Sequence, residues 1–107
     1  MDRLSVRQVS AEGALFRVYA LSGELDIVNV GTFVDTVVDA LEHGGRHFCL
    51  DLSEVTWCDN GSLFTLLGIR HAANHVGGSL SCTGVSPAVR DALVRTELGE
   101  LLPVIPE

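Results

Sequence analysis

Residues 50–67 read LDLSEVTWCDNGSLFTLL. An apolar strand pattern from Phe48 to Leu52 runs into a short polar turn of Cys58, Asp59, Asn60, Gly61 and Ser62, and an apolar helix pattern follows at once. A strand that stops at such a turn and opens into a helix presents backbone N–H groups and small polar side chains at the positive end of that helix. The arrangement suits an anionic group, or a partner surface that reads one. This turn is the expected functional centre.

Working outward, Val30, Phe33, Val34, Val37, Val38 and Leu41 recur at the spacing of an amphipathic helix, with Asp35, Asp39 and Glu42 on its wet face. Gly44 and Gly45 end it in the manner of a left-handed cap. Residues 46–52 form the next strand; its HFCLDL core is apolar on both sides of the pleat except at Asp51, as in a central strand covered by helices. Upstream, residues 4–9 alternate weakly as a first strand and residues 14–21 alternate better as a second, with a turn at Glu12 and Gly13. Residues 22–26, Ser-Gly-Glu-Leu-Asp, read as a polar break.

Downstream, the apolar positions 63, 66, 67, 69, 73 and 76 wrap most of the way round, which predicts a second helix more buried than the first. Gly77 and Gly78 close it, and residues 79–84 form a short strand. Ser86 as N-cap and Pro87 at the first helical position open a third helix with an inner face of Val89, Ala92 and Leu93. A last turn follows at residues 98–102, and Pro103 and Pro106 end the fold. The order β-β-α-β-α-β-α predicts an α/β fold: an initial hairpin, then parallel strands joined through helices, in a mixed sheet with helices packed against it. With 107 residues, 47% of them apolar, one domain spanning residues 1–107 is expected.

The charge balance narrows the function. Fourteen acidic residues face seven basic ones, a net charge of −7, and all the basic residues are Arg. An acidic chain without a basic stripe argues against nucleic acid, whose phosphates demand neutralisation. No apolar run approaches the roughly 18 residues that span a bilayer, and the first ten residues lack the apolar core of a secretory signal. Cys49, Cys58 and Cys82 are odd in number and widely spaced, which suits reduced thiols and a cytoplasmic location.

The motifs together resemble a known family. Gly23-Glu24-Leu25-Asp26, a helix, a strand ending Leu50-Asp51-Leu52-Ser53, then Val55, Asp59 and Leu63 at fixed spacing, are similar to the STAS domain, and more narrowly to the bacterial anti-sigma factor antagonists. Gly77-Gly78, Gly84 and Ser86-Pro87-Ala88-Val89 agree. The resemblance implies a STAS-like single domain without catalysis or cofactor. Its partner would be an anti-sigma factor, usually a serine kinase with a histidine-kinase-like ATPase fold, and binding would release a sigma factor and so regulate transcription by partner switching. In such proteins the kinase phosphorylates a Ser or Thr at the start of the second helix, which abolishes binding, and a phosphatase restores it.

This chain departs from that pattern where it matters. With Asp59 and Leu63 aligned to the family's Asp and Leu, Asn60 takes the first Ser position, Gly61 the acceptor and Ser62 the usual Gly. One reading moves the phosphorylation to Ser62, where a phosphate would add about −1.5 to −2 charges beside Asp59. One residue is about 100° around a helix, however, which turns the hydroxyl off the kinase's line. The other reading is a non-phosphorylated scaffold that binds constitutively, pairs with itself as a weak homodimer, or serves another signalling assembly. In either case Asp26, Asp59, Asn60, Gly61, Ser62 and Leu63 are the expected partner-binding residues.

Other candidates carry plainer readings. Asp26 doubles as a turn or cap residue before the first helix, and Asp59 as a helix cap. Trp57 is either an interface anchor or, the commoner role for a lone Trp beside an apolar strand, core. His71 and His75 share a helix face but lack the company of a metal site. Ser62, His71 and Asp59 offer hydrolase residue types without a nucleophile elbow, so no enzyme is expected.

Overall fold

The computed structural model describes residues 3–9 and 16–104. Its elements follow the expected order: β1 (Leu4–Gln8), β2 (Phe16–Leu25), α1 (Val30–Glu42), β3 (His47–Cys58), α2 (Asn60–His75), β4 (Ser79–Thr83) and α3 (Pro87–Thr96). The strands lie in the sheet in chain order, with β1 antiparallel to β2, and β2, β3 and β4 mutually parallel. The expected turn at Glu12 and Gly13 and the start of the second strand at residues 14–15 lie outside the described residues, as does Pro106.

The helix ends obey the sequence signals. Gly44 takes φ +92° and lets Gly45 N–H reach the Ala40 carbonyl at 2.8 Å, a left-handed closure that a side chain would strain. Ser86 Oγ accepts from Val89 N–H at 3.3 Å, with Pro87 in the first turn of α3. After α3, Leu98 to Leu102 form a turn, and Pro103 and Val104 return to the outer edge of β4, where Cys82 N–H donates to the Pro103 carbonyl at 2.8 Å.

The polar stretch at residues 22–26 is not a break. β2 runs through it to Leu25 with its period of two intact, and the two register shifts against β3 place the extra residues in β3. Gly23, at φ +97°, permits a close approach on the β1 side: a Cβ there would run into the Arg3 carbonyl, which accepts from Glu24 N–H at 2.8 Å. β3 answers by continuing past Leu52 to Cys58, with Val55 and Cys58 turned inward. The spacing of three between Leu52, Val55 and Cys58 breaks the period of two, which hides this half of the strand from pattern reading.

Two packing expectations also change. α2 is not more enclosed than α1: Phe64, Gly68, Ala72 and Val76 face solvent, while Leu63, Leu66, Ile69 and Ala73 face the core. On α1, Val38 belongs to the apolar stripe by spacing but is exposed. Nor is β3 covered on both faces. One face of the sheet buries Tyr19 and Leu21, Phe48, Leu50 and Leu52, and Leu80 and Cys82 against the helices. The alternate residues Val18, Ala20, Cys49, Asp51, Ser81 and Thr83 are only half-buried and Phe16 is exposed. Strands added in one direction by right-handed crossovers put every connecting helix on the same side, so the result is two layers. Arg17 is the exception on the inner face; its guanidinium donates to the His43 carbonyl at 3.4 Å, at the negative end of α1.

Candidate functional site

The C-terminal ends of β2 and β3 bring the β2–α1 loop beside the start of α2, and Asp59 joins them. As N-cap of α2 it accepts from Ser62 N–H through Oδ1 at 2.8 Å, and through Oδ2 it accepts from Ile27 N–H at 3.0 Å. Its own N–H donates to the Leu25 carbonyl at 3.2 Å. One carboxylate thus satisfies an orphan amide of the helix and an amide of the neighbouring loop.

Asp26 performs the matching task inside the loop. It is buried, its Oδ1 accepts from Val28 N–H at 2.9 Å and Asn29 N–H at 2.8 Å, and its Oδ2 pairs with Arg3 at 2.7 Å. Asn29 closes the ring by accepting from Asp26 N–H at 2.9 Å and donating to the Glu24 carbonyl at 2.7 Å. Both oxygens of Asp26 are engaged, so it shapes the loop from below.

Ser62 lies inside the turn at 0% exposure. Its hydroxyl donates to the Asp59 carbonyl at 2.9 Å and sits 3.4 Å from the Cys58 thiol. Burial pushes the Cys58 thiol above its ordinary range, against a smaller opposing pull from the Ser62 hydroxyl. Leu63 is core, at 1% exposure. Of the six expected residues, Asn60 is exposed, Asp59 and Gly61 are half-buried, and Asp26, Ser62 and Leu63 are buried.

The space above Gly61 is occupied by Ile27. A Cβ on Gly61 would meet Ile27 Cδ1 at 3.0 Å, Cβ at 3.1 Å and Cγ1 at 3.2 Å. Asn60 turns the other way and accepts from Arg95 Nε at 2.6 Å, while Arg95 Nη2 donates to the Cys58 carbonyl at 3.2 Å. Trp57, Asp59, Asn60, Ala88, Asp91 and Arg95 line a groove of about 600 Å³ on that side.

Several residues of this tip escaped the sequence reading. Ile27 and Val28 are 57% and 79% exposed, and Phe64, one helical turn beyond Gly61, is 55% exposed. Trp57, expected in the core, is 48% exposed at the groove. The signal for Ile27, Val28 and Phe64 was present: all three are large, apolar and off the helical stripes. Nothing in the sequence pointed to Arg95, which reaches the turn from 35 residues away.

Other chemistries find little here. Among the described residues no group of three or more His, Cys, Asp and Glu could hold a metal ion, and His71 and His75 face solvent on α2. The proton of the Ser62 hydroxyl points to a backbone carbonyl, which is no route to a nucleophile. No helix among the described residues is long and apolar enough to cross a membrane.

The family model described as "Mlab, STAS domain" matches residues 5–103. The chain belongs to the STAS domain family. Among solved structures, this STAS domain resembles the unphosphorylated anti-sigma factor antagonist SpoIIAA, with TM-score 0.76 and 20% identity over 97% of this chain and 87% of that one. It is also similar to a putative anti-sigma factor antagonist from Thermotoga maritima, with TM-score 0.74 and 24% identity over 95% and 86% of the two chains. A third likeness is to an anti-sigma factor antagonist from Mycobacterium paratuberculosis, with TM-score 0.70 and 20% identity over 97% and 86%. These likenesses establish the shared STAS fold.

Proposed function

We propose that this STAS domain is a non-catalytic anti-sigma factor antagonist in the cytoplasm, binding an anti-sigma factor of the serine-kinase type and so releasing a sigma factor. The observation that carries the reading is the tip itself, where Ile27, Val28, Gly61 and Phe64 expose an apolar surface on a frame held by Asp59. Solved anti-sigma factor antagonists share the overall fold.

Phosphorylation does not control the tip in this reading. Gly61 offers no hydroxyl at the acceptor position, and the volume above it is taken by Ile27. Ser62, the displaced candidate, is closed to solvent and hydrogen-bonded within the turn, so a kinase would first have to open α2. Binding is therefore constitutive, set by the amounts of the two proteins, and a restoring phosphatase has no substrate here.

The test is co-purification with an anti-sigma partner, followed by incubation of the complex with ATP and phosphate mapping by mass spectrometry. Retention of a kinase with a histidine-kinase-like fold and no phosphate on the tip is the expected result. If no such protein is retained, the anti-sigma reading fails. Phosphate recovered on Ser62 would overturn the constitutive binding. The second reading, a STAS scaffold in another signalling assembly, is favoured by the same absence of an accessible hydroxyl; it predicts retention of a partner unrelated to sigma control.

A further inference from the structure

The face of the sheet turned away from the helices carries exposed and half-buried side chains, many of them small. Register places Phe16 beside His47 and Ser79, then Val18 beside Cys49 and Ser81, then Ala20 beside Asp51 and Thr83. On the other flank, Arg7 pairs with Ala20, and the Val9 N–H donates to the Val18 carbonyl at 2.7 Å. Phe16 is 65% exposed, and its ring stacks on His47 at 4.8 Å and 21°; His47 Nδ1 and Ser79 Oγ lie 2.9 Å apart. Parallel strands ordinarily have both faces covered. Here β2, β3 and β4 are parallel, and the helices among the described residues cover one face and leave the other open.

Charge identifies the cover. The chain carries −7 overall, yet across these three rows the formal charges are Arg7 and Asp51 alone, one of each sign, with Glu54 in the row beyond, beside Ser22. A second copy is repelled by an acidic face, and these three rows carry no net formal charge. Arg7 and Asp51 occupy the same row, one strand to either side of Ala20. Rotation by 180° about an axis parallel to β2, lying between two stacked sheets, exchanges these flanks. Each Arg7 then stands opposite the partner's Asp51, and the β2 residues Phe16, Val18 and Ala20 meet their own copies on the axis. A closed two-fold contact requires this self-complementarity.

We infer that the open sheet face is a homodimer interface, two copies stacking about 10 Å apart as an aligned sandwich. Four strands about 4.8 Å apart with rows about 6.7 Å apart make a patch of a few hundred Å². A standard interface covers roughly 800 Å² per partner. The dimer is accordingly concentration-dependent, and it leaves the tip around Asp59 free.

Sedimentation equilibrium over a wide concentration range tests this directly. The wild-type chain should shift from monomer toward dimer as concentration rises. Arg7→Asp and Asp51→Arg each set like charges opposite one another and should weaken association about tenfold or more. An equimolar mixture of the two variants should recover it, because each contact is then again Arg against Asp. Phe16→Thr, at an exposed position, should weaken the dimer while leaving the urea midpoint near that of wild type. A wild-type chain that stays monomeric throughout, single variants that dimerise like wild type, or a mixture that stays monomeric would each overturn the assignment. Failure here leaves the proposed anti-sigma binding untouched, since that is read by partner retention.

Discussion

Ile27 and Asp59 stand 32 residues apart in the chain and are joined by a 3.0 Å hydrogen bond from the Ile27 amide to Asp59 Oδ2. The bond makes the β2–α1 loop and the first turn of α2 one rigid unit. It also sets the Ile27 side chain over Gly61, so one amide-to-carboxylate contact between distant residues decides what covers the start of α2.

Replacing Asp59 should therefore loosen two elements at once. Asp59→Ala should cost about 1–2 kcal/mol in urea unfolding, through loss of the cap and of the loop bond. Asp59→Asn, which still accepts, should cost less. Hydrogen exchange at the Ile27 amide should accelerate in the Ala variant; an unchanged rate would show that the bond does not hold the loop.

The crowding between Ile27 and Gly61 should appear as energetic coupling. Gly61→Ala gains up to about 1 kcal/mol of helix propensity, but the new methyl presses on Ile27. In the Ile27→Ala background that pressure is gone, and the same change should stabilise. A double-mutant cycle by urea unfolding should give a coupling of about 0.5–1 kcal/mol, and simple additivity would exclude the contact as a constraint.

Ser62 should behave as a structural residue. Ser62→Ala should cost about 1 kcal/mol for the lost hydrogen bond to the Asp59 carbonyl. Ser62→Asp places an unpaired carboxylate in a closed site beside Asp59 and should cost about 3 kcal/mol or more. Near wild-type stability of the Asp variant, measured by urea unfolding, would show that the turn opens easily enough for a kinase.

Stability should fall at alkaline pH through Cys82. Burial pushes this thiol from an ordinary value of 9.0 up to about 12. Below 9 both states keep the proton, and the native advantage is complete. Between about 9 and 12 the unfolded chain releases the proton while the native chain holds it, so unfolding gains by up to about 4 kcal/mol. Urea midpoints measured across that window should decline for wild type and decline less steeply for Cys82→Ala, the raised Cys58 thiol keeping part of the slope. Equal slopes would show that the thiol is not the source.

Much of this fold is legible in the sequence because its signals are local. The α1 stripe, the glycines after α1 and α2, and Ser86-Pro87 each state a helix or its end within a few residues. Two misreadings lie side by side in the sheet. Residues 22–26 look like a break by their polar composition, although β2 keeps its period of two through them, and the strand pattern of β3 lapses after Leu52 because its extra residues shift that period against β2. For Trp57 the commoner role of a lone Trp beside an apolar strand is core, with interface anchor as the alternative; its exposure follows from a strand that continues where the alternation lapses.

By itself the sequence determined the element order, the family's spacing from Gly23 through Leu63, and the absence of a hydroxyl at residue 61, since all of these are properties of neighbours along the chain. Only the tertiary structure decided that Ser62 is sealed, that Ile27 fills the space above Gly61, and that one sheet face lies open with Arg7 and Asp51 on its flanks. Those facts depend on contacts between distant residues, whose geometry is set by strand register and crossover handedness. The turn at residues 58–62 shows both sides of this division: its chemistry is written locally, but the side chain that covers it, Ile27, reaches it from another element.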